Sequence, residues 1–200
     1  MNSIRYLIFH AHRVVRPGAV AISVVWALLG CTPQYDWRDV RNEAPAWIAT
    51  FPGKQVQVAR EISLPPIKAP VTLTLASSRI KNTMFAVGWV SGPTLDSKTL
   101  EQVRSALEVA MLKNIEAEES TVQRTENPPA VALGNRSIRQ IYAQGRLQLD
   151  RNNSAEALLW MRTLTVSAPI PFVLEIIAVG PKEHLNEELA LQFIESLRLP

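Results

Sequence analysis

Side chains that commonly carry catalysis are scarce in this 200-residue chain. Cys31 is its only cysteine, and with His10 and His12 near the start, His184 is the only histidine in the remainder. Thiolate and imidazole chemistry needs a neighbouring group that activates or orients the reactive one. These counts therefore exclude most catalysis built on cysteine or histidine, and the single cysteine has no disulfide partner in the chain. A zinc site would need His184 beside several correctly placed partners.

His184 follows Lys182 and Glu183 in a polar stretch that we expect to begin the last helix. In that setting an exposed helix residue is a simpler interpretation than a catalytic one. The sequence also lacks a glycine-rich phosphate loop, a CxxC pair and a GxSxG nucleophile motif. We therefore expect no catalytic, cofactor-binding or metal-binding residue, and no enzymatic activity.

Two groups of charged residues could still form a site. Acidic residues of a polar loop could bind a cation or pair their carboxylates: Glu116, Glu118, Glu119 and Glu126. They lack the spacing of a calcium loop, so a solvated loop is the favoured interpretation. Arginines on a sheet face could bind an anionic ligand: Arg136, Arg139, Arg146 and Arg162. Arg139 has the opposite parity to Arg136 and Arg146, which favours ordinary surface ion pairs.

Three further residues lie in apolar segments. Trp89 and Trp160 are expected in the core, and the alternative is the wall of an apolar groove for a lipid or peptide. Glu175 is the only glutamate within a strongly apolar segment, residues 172–177. Facing solvent, it would be a strand charge that pairs with a neighbouring arginine. Facing inward without a partner, it would have a raised pKa. We expect the outward orientation.

The first 30 residues have the organisation of a secretory signal. They contain Arg5, Arg13 and Arg16 without any acidic residue, and residues 18–29 form an apolar run. A membrane-spanning helix needs about 20 apolar residues, so this shorter run favours a cleaved signal peptide. The remaining 18 basic residues equal the 18 acidic ones, and this balance gives no support for nucleic-acid binding.

The end of this leader, Leu28-Leu29-Gly30-Cys31, resembles the lipobox of bacterial lipoproteins, although Leu29 is bulkier than the usual residue there. The resemblance implies cleavage between Gly30 and Cys31, a diacylglycerol on the Cys31 thiol, and a fatty acid such as palmitate on the new amino group. Two or more acyl chains hold a protein stably on a membrane. The alternative is a short uncleaved signal anchor in which Cys31 is an inert thiol.

Thr32 stands where an aspartate would retain an enterobacterial lipoprotein in the inner membrane. The resemblance therefore implies an outer-membrane lipoprotein that faces the periplasm, with the inner membrane as the alternative. Residues 32–45 are polar and lack periodicity, and we interpret residues 31–45 as the lipidated cysteine and a tether. Tyr35 and Trp37 are expected to pack back onto the domain, and a partner-binding or interfacial segment is the alternative.

Residues 46–200 are predicted to form a single α+β domain. Apolar patterns predict strands over residues 54–64, 71–75, 84–90, 137–149, 155–167 and 172–179, with an optional short strand ending at Val122. A bulge is expected near Ala59, and a bulge or a close approach at Gly145. Three- and four-residue spacing predicts helices over residues 95–116 and 183–197. Because short turns join antiparallel neighbours, we expect a twisted antiparallel sheet of about six strands, packed with two amphipathic helices that could lie on opposite faces.

This order of elements resembles the PsbP-like fold, as do Phe51-Pro52 before the first strand and the closing sequence Phe193-Ile194-Glu195-Ser196-Leu197. The resemblance covers residues 47–199. An extrinsic photosystem protein, a Ran-binding protein family and several small bacterial lipoproteins share that fold, and its members often dock onto other proteins. The resemblance implies a non-enzymatic lipoprotein that docks onto an envelope protein or serves envelope assembly. The alternative is a carrier or sensor of a small apolar or anionic ligand bound between sheet and helix.

Overall fold

The computed structural model describes residues 34–64, 70–91, 95–127, 136–167 and 170–200, and within them it contains nine strands and two α-helices. In chain order these are β1 (Arg38–Glu43), β2 (Ala46–Phe51), β3 (Val56–Ile62), β4 (Val71–Ile80), β5 (Thr83–Ser91), α1 (Ser97–Asn114), β6 (Gln123–Glu126), β7 (Arg136–Gln148), β8 (Ser154–Val166), β9 (Phe172–Pro181) and α2 (Glu187–Glu195). A short 3-10 turn, Glu119–Thr121, connects α1 to β6. The predicted leader, including Gly30 and Cys31, lies outside the described residues.

Seven of these strands form one antiparallel sheet in the order β3-β4-β5-β9-β8-β7-β6, and β1 pairs with β2 in a separate hairpin. The α+β class is therefore confirmed, as is the antiparallel pairing of strands that short turns connect. The sheet has seven strands where about six were predicted. The additional strand is β6, which begins at Gln123, directly after the residue at which the optional short strand was expected to end. The last strand, β9, enters the middle of the sheet between β5 and β8.

The two helices cover opposite faces of the sheet. Side chains alternate between faces along a strand. In β9, Leu174 and Ile176 pack with Phe193 of α2, whereas Val173 packs with Leu107 of α1. We call these sides of the sheet the α2 face and the α1 face. Both helices contact β8 and β9, so the central strands are buried on both sides.

The core of the α2 face is built from aromatic side chains. Phe193 packs edge to face against Phe51 and Phe85, with ring centroids 5.1 and 5.4 Å apart. Trp47 of the β1–β2 hairpin packs against Trp89 at 5.5 Å. Such pairs stabilise a core beyond the area that they bury. Trp89 and also Trp160 belong to this core, which confirms their expected role.

The segment interpreted as a tether contains β1, whose residues pair with β2 from Arg38 opposite Phe51 to Glu43 opposite Ala46. Before β1, the Asp36 N–H donates to the Pro52 carbonyl at 2.9 Å. Trp37 packs against Phe85, and Tyr35 stacks on Trp37. The expectation that these two aromatic residues pack back onto the domain is confirmed. Trp37 and β1 are therefore packed parts of the domain, although they lie in the segment interpreted as a tether.

Both helices begin where a side chain caps their first turn. The Asp96 carboxylate accepts from the Thr99 N–H at 2.7 Å, and the Asn186 side chain accepts from the Leu189 N–H at 2.9 Å. These contacts satisfy N–H groups that have no partner inside the helix. Helix α2 therefore starts later than predicted, because Asn186 supplies its cap. In the described part of the chain, neither helix has the length and apolarity needed to span a membrane.

Of the two strand irregularities predicted from the sequence, near Ala59 and at Gly145, only the one at Gly145 is present. The register of β3 and β4 passes through Ala59 opposite Thr74 without a break, so the predicted bulge there is wrong. Gly145 pairs with Ala157, also without a bulge, but its backbone lies against the Ile115 carbonyl at the end of α1. The Arg146 N–H donates to that same carbonyl at 2.5 Å. The close approach expected at Gly145 is therefore confirmed, since any side chain there would collide with the helix end.

Candidate functional site

Glu175 lies inside the protein, so the expectation that it faces solvent is wrong. It stands in the central strand β9 and is 3% exposed. Its neighbours Leu174 and Ile176 face the α2 core, and the pleat therefore directs Glu175 to the α1 face, where α1 covers it. The sequence pattern could not decide its orientation, because both faces of this strand are apolar and buried.

Space for the Glu175 side chain comes from its neighbours on the adjoining strands. Gly88 of β5 and Thr163 of β8 pair with it on either side. A Cβ atom at Gly88 would lie 2.7 Å from Glu175 Oε1 and 3.0 Å from its Cγ, both closer than van der Waals contact. A residue without a side chain at position 88 is therefore what allows a carboxyl group to fit beneath α1.

A second buried carboxylate, that of Glu108 on α1, lies over the same part of the sheet. Thr163 Oγ1 donates to Glu108 Oε1 at 2.6 Å, and Arg139 Nη1 donates to Glu108 Oε2 at 2.7 Å. Arg139 Nε also donates to Glu126. Burial alone would lower the pKa of Arg139, but the hydrogen bonds to Glu108 and Glu126 outweigh it and raise the pKa. Arg139 is thus committed to two other carboxylates.

Glu175 itself has no such compensation. Its Oε2 atom is buried and has no hydrogen-bond partner among the described residues. Burial raises the pKa of Glu175 to about 7, and the nearby Glu108 adds to the shift. A carboxyl group in this position takes up a proton near neutral pH, because its charged form is neither solvated nor paired.

A neighbouring set of contacts fixes the earlier turns of α1. Arg104 is buried, donates from Nη1 to Ser137 Oγ at 3.1 Å and pairs with Glu101. We call the polar residues between helix α1 and the sheet the α1 polar cluster. It comprises Glu101, Arg104 and Glu108 of the helix and Ser137, Arg139, Thr163 and Glu175 of the sheet. Five surface cavities of about 370–540 Å³ are lined by other residues. The cluster therefore fixes the helix and can bind a proton, but none of those five cavities is lined by a residue of the cluster.

The four arginines considered as an anion site do not converge. Arg139 lies on the α1 face, whereas Arg162 lies on the α2 face and donates to Gln140 Oε1 at 2.9 Å. Burial lowers the pKa of Arg162. Arg146 is exposed and lies 3.4 Å from Ser154 Oγ, while Arg136 lines a cavity of about 380 Å³ at the end of the sheet. A shared anion site built from all four residues is therefore excluded.

The four glutamates considered as a cation site do not come together in the structure. Glu119 pairs with Arg124 at 2.7 Å, and Glu126 pairs with Arg139. Glu116 and Glu118 line a solvent-open cavity of about 540 Å³. Across the described residues, no three histidine, cysteine, aspartate or glutamate side chains group in a way that could hold a metal ion. Glu116, Glu118 and Glu119 are exposed, in agreement with a solvated segment, whereas Glu126 is exposed but lies in strand β6 and not in a loop.

His184 lies in the turn between β9 and α2, whereas the sequence placed it at the start of the helix. Its Nε2 atom is 3.3 Å from Glu183 Oε1, and its side chain is 26% exposed. The hydrogen bonds of the described residues give it no orienting carboxylate beyond this adjacent one. The histidine therefore has the surroundings of a half-buried turn residue, without the relay of groups that catalysis requires.

The outer edge of β3 is a surface feature that the sequence did not indicate. Within the described residues, no strand pairs with β3 on the side away from β4. Val56 is 62% exposed and Val58 is 45% exposed. Their alternation was interpreted as a half-buried strand, but α1 covers the centre of the sheet and leaves this edge open. Unpaired backbone groups beside exposed valines form an edge that another strand can join.

No protein-family model, no curated protein and no solved structure matches the chain.

Proposed function

We propose that the protein is a membrane-anchored lipoprotein that faces the periplasm and docks, without catalysis, onto another protein of the bacterial envelope. The observation that carries the docking role is the outer edge of β3. Natural sheets usually protect long edges with charges, bulges, prolines or covering segments. The Val56–Val58 half of β3 has a regular register and exposed apolar side chains. Addition of a partner strand would satisfy its backbone groups and cover both valines.

The anchor in this proposal is the lipid on Cys31, held in the outer membrane by the acyl chains, with the inner membrane as the alternative. The lipobox-like Leu28-Leu29-Gly30-Cys31 and the acid-free leader support it. Metabolic labelling with a fatty-acid analogue tests it. Wild-type protein should incorporate label and sediment with membranes, whereas Cys31→Ser should do neither. Equal labelling of the two proteins would refute the anchor.

The docking role is tested by placing a photo-crosslinking residue at position 57 in the native gene. A stoichiometric crosslink to one envelope protein is expected, and Val56→Lys with Val58→Lys should abolish it while the melting temperature stays unchanged. Val109→Lys is the matched control, because Val109 is also an exposed valine, 64% accessible, but lies on α1 away from the edge. A crosslink that survives the β3 double variant would overturn the proposal.

A second candidate function, a carrier or sensor of a small ligand, is favoured by the cavity of about 380 Å³ at the end of the sheet. Ile170, Phe172 and Leu199 give it an apolar lining, and Arg136 supplies a cation. An apolar carboxylate would suit this combination. Native mass spectrometry of the purified protein should then detect one small molecule that Arg136→Gln loses. This ligand would lie at the ends of the strands, where the cavity is, and not between sheet and helix as the sequence suggested.

We also propose that the domain has the PsbP-like fold. Within the seven-stranded sheet and its helices, the succession of three strands (β3, β4 and β5), helix α1, four further strands and the closing helix supports this assignment. An experimental structure of residues 34–200 that superimposes poorly on PsbP-like domains would overturn it.

A further inference from the structure

Two opposite charges lie on β3 beside the exposed valines. Arg60 is paired across the strands with Leu73, and Glu61 with Thr72. Neither residue forms an ion pair within the part of the chain that the structure describes. Both are exposed. The residues opposite them on β4 are uncharged, so the sheet itself supplies no oppositely charged partner across the strands for Arg60 or Glu61.

The four side chains have a fixed arrangement along the edge. Val58 pairs with Leu75 of β4, which pairs with Gly88 of β5, and Arg60 is connected in the same way through Leu73 to Val90. Residues that pair across strands share a face, and Val90 lies on the α1 face. Val58 and Arg60 therefore lie on the α1 face, and alternation puts Val56 there too. Glu61 points to the α2 face. A strand added to this edge would thus meet two valines and a cation on one face, and an anion on the other.

A second copy of the chain does not fit this pattern. A two-fold axis perpendicular to the sheet pairs residues of the same parity, since opposed side chains of antiparallel strands share a face. Arg60 would then oppose Val56, Val58, Ile62 or another Arg60, and never Glu61. Both charges would stay unmatched, so the edge suits a different protein better than itself.

On the basis of the docking role proposed above, we infer that the β3 edge binds an extended segment of another protein. Written from its N-terminus, this segment has a basic residue, an acidic residue, any residue, an apolar residue, any residue and an apolar residue. The segment would run antiparallel to β3, as all neighbours in this sheet do. Its base would oppose Glu61, its acid Arg60, and its two apolar residues Val58 and Val56. Opposite charges and apolar pairs across strands stabilise such pairing, whereas like charges oppose it.

The inference is tested with the full-length chain in detergent micelles and two fluorescent peptides. One contains the segment TKETVTV, and the other contains its charge-swapped counterpart TEKTVTV, so the peptides differ only in the order of base and acid. Fluorescence anisotropy should show about tenfold tighter binding of the first peptide, because the swap replaces two attractive pairs with two repulsive ones. The double variant Arg60→Glu with Glu61→Lys should reverse that preference.

Each outcome decides the inference separately from the docking role. Equal binding of the two peptides, or an unchanged preference in the charge-swapped protein, would overturn the inference and show that Arg60 and Glu61 only protect the edge. Failure of both peptides to bind would also overturn it. Dependence of the position-57 crosslink on Val56 and Val58 would still support docking in either case. Both substituted residues are exposed, so circular dichroism melts of the variants should match the wild type.

Discussion

Gly88 and Glu175 face each other across β5 and β9, and a methyl group on Gly88 would lie 2.7 Å from the Glu175 carboxyl oxygen Oε1. The same methyl group would lie 3.2 Å from a terminal carbon of Leu75. Glu175 is covered by α1 and is only 3% exposed. Position 88 must therefore remain a glycine for as long as position 175 holds a long polar side chain.

Gly88→Ala should destabilise the domain by about 1–3 kcal/mol, the usual cost of overpacking a core. In an open strand position the same change would stabilise, because glycine loses more backbone freedom on folding than alanine does. Urea unfolding followed by circular dichroism measures the difference. Gly53→Ala is the control, since the nearest atoms there are side-chain ends at 3.2 and 3.3 Å, and it should cost less.

The cause of that loss can be isolated with Glu175→Ala in a double-mutant cycle. If the methyl group collides with the carboxyl group, Gly88→Ala should cost little once Glu175 is shortened. The coupling energy should then be about 1–2 kcal/mol, within the range for residues in contact. Additive effects of the two substitutions would show that the relationship between Gly88 and Glu175 is not the source of the destabilisation.

Glu175 should make the protein less stable as the pH rises. Its pKa in the folded protein is about 7, above the ordinary value of 4.5. Between these values the unfolded chain has lost the proton and the folded one retains it, so the contribution of Glu175 to stability is fully present below about pH 4.5 and is lost by the time the pH has risen through about 7. The loss amounts to about 3 kcal/mol at roughly 1.4 kcal/mol per pH unit.

Glu175→Gln should remove this dependence. Glutamine keeps the shape of the protonated acid and cannot ionise, so the free energy of unfolding of the variant relative to wild type should rise by about 3 kcal/mol between pH 4.5 and 8. Chemical denaturation across that range provides the measurement. Parallel pH profiles for wild type and Glu175→Gln would mean that Glu175 is solvated or paired.

Arg139 should be the most sensitive charge of the α1 polar cluster. Arg139→Gln leaves the buried Glu108 carboxylate without its cation and beside Glu175, and the loss should be about 3 kcal/mol. Adding Glu108→Gln should recover more than half of it. The matched control, Arg124→Gln, breaks the exposed pair with Glu119 and should cost much less, because solvent screens that pair. Equal effects of the two arginine substitutions would argue against a buried ion pair.

The elements with strong periodicity could be predicted closely from the sequence. Helix α1 was expected over residues 95–116 and spans Ser97–Asn114, and β8 was expected over residues 155–167 and spans Ser154–Val166. Their patterns are local and depend on one buried face or stripe. Strand β1 could not be recognised, because its sequence RDVRNE contains a single apolar residue and its pairing with β2 holds it in place.

The site features escaped prediction for a different reason: they depend on strand order. The orientation of Glu175 follows from the position of β9 at the centre of the sheet, which only non-local pairing with β5 and β8 determines. The exposure of Val56 and Val58 follows from the position of β3 at the edge. Period-two alternation shows that a strand has an apolar side, but not whether anything covers it.

The closing helix should be essential to the fold through Phe193. Its ring is fully buried between Phe51 of the hairpin and Phe85 of the sheet, so it joins three elements that are distant in sequence. Phe193→Ala should cost about 3–5 kcal/mol, a large part of a typical domain stability of about 5–15 kcal/mol, and removal of residues 181–200 should unfold the domain. The control Gln192→Ala, at an exposed position of the same helix, should change stability by about 0.5 kcal/mol or less. Thermal melts of the three variants provide the measurement. A cooperative, wild-type-like melt of the truncated chain would mean that α2 is dispensable, and that the hairpin alone covers that face of the sheet.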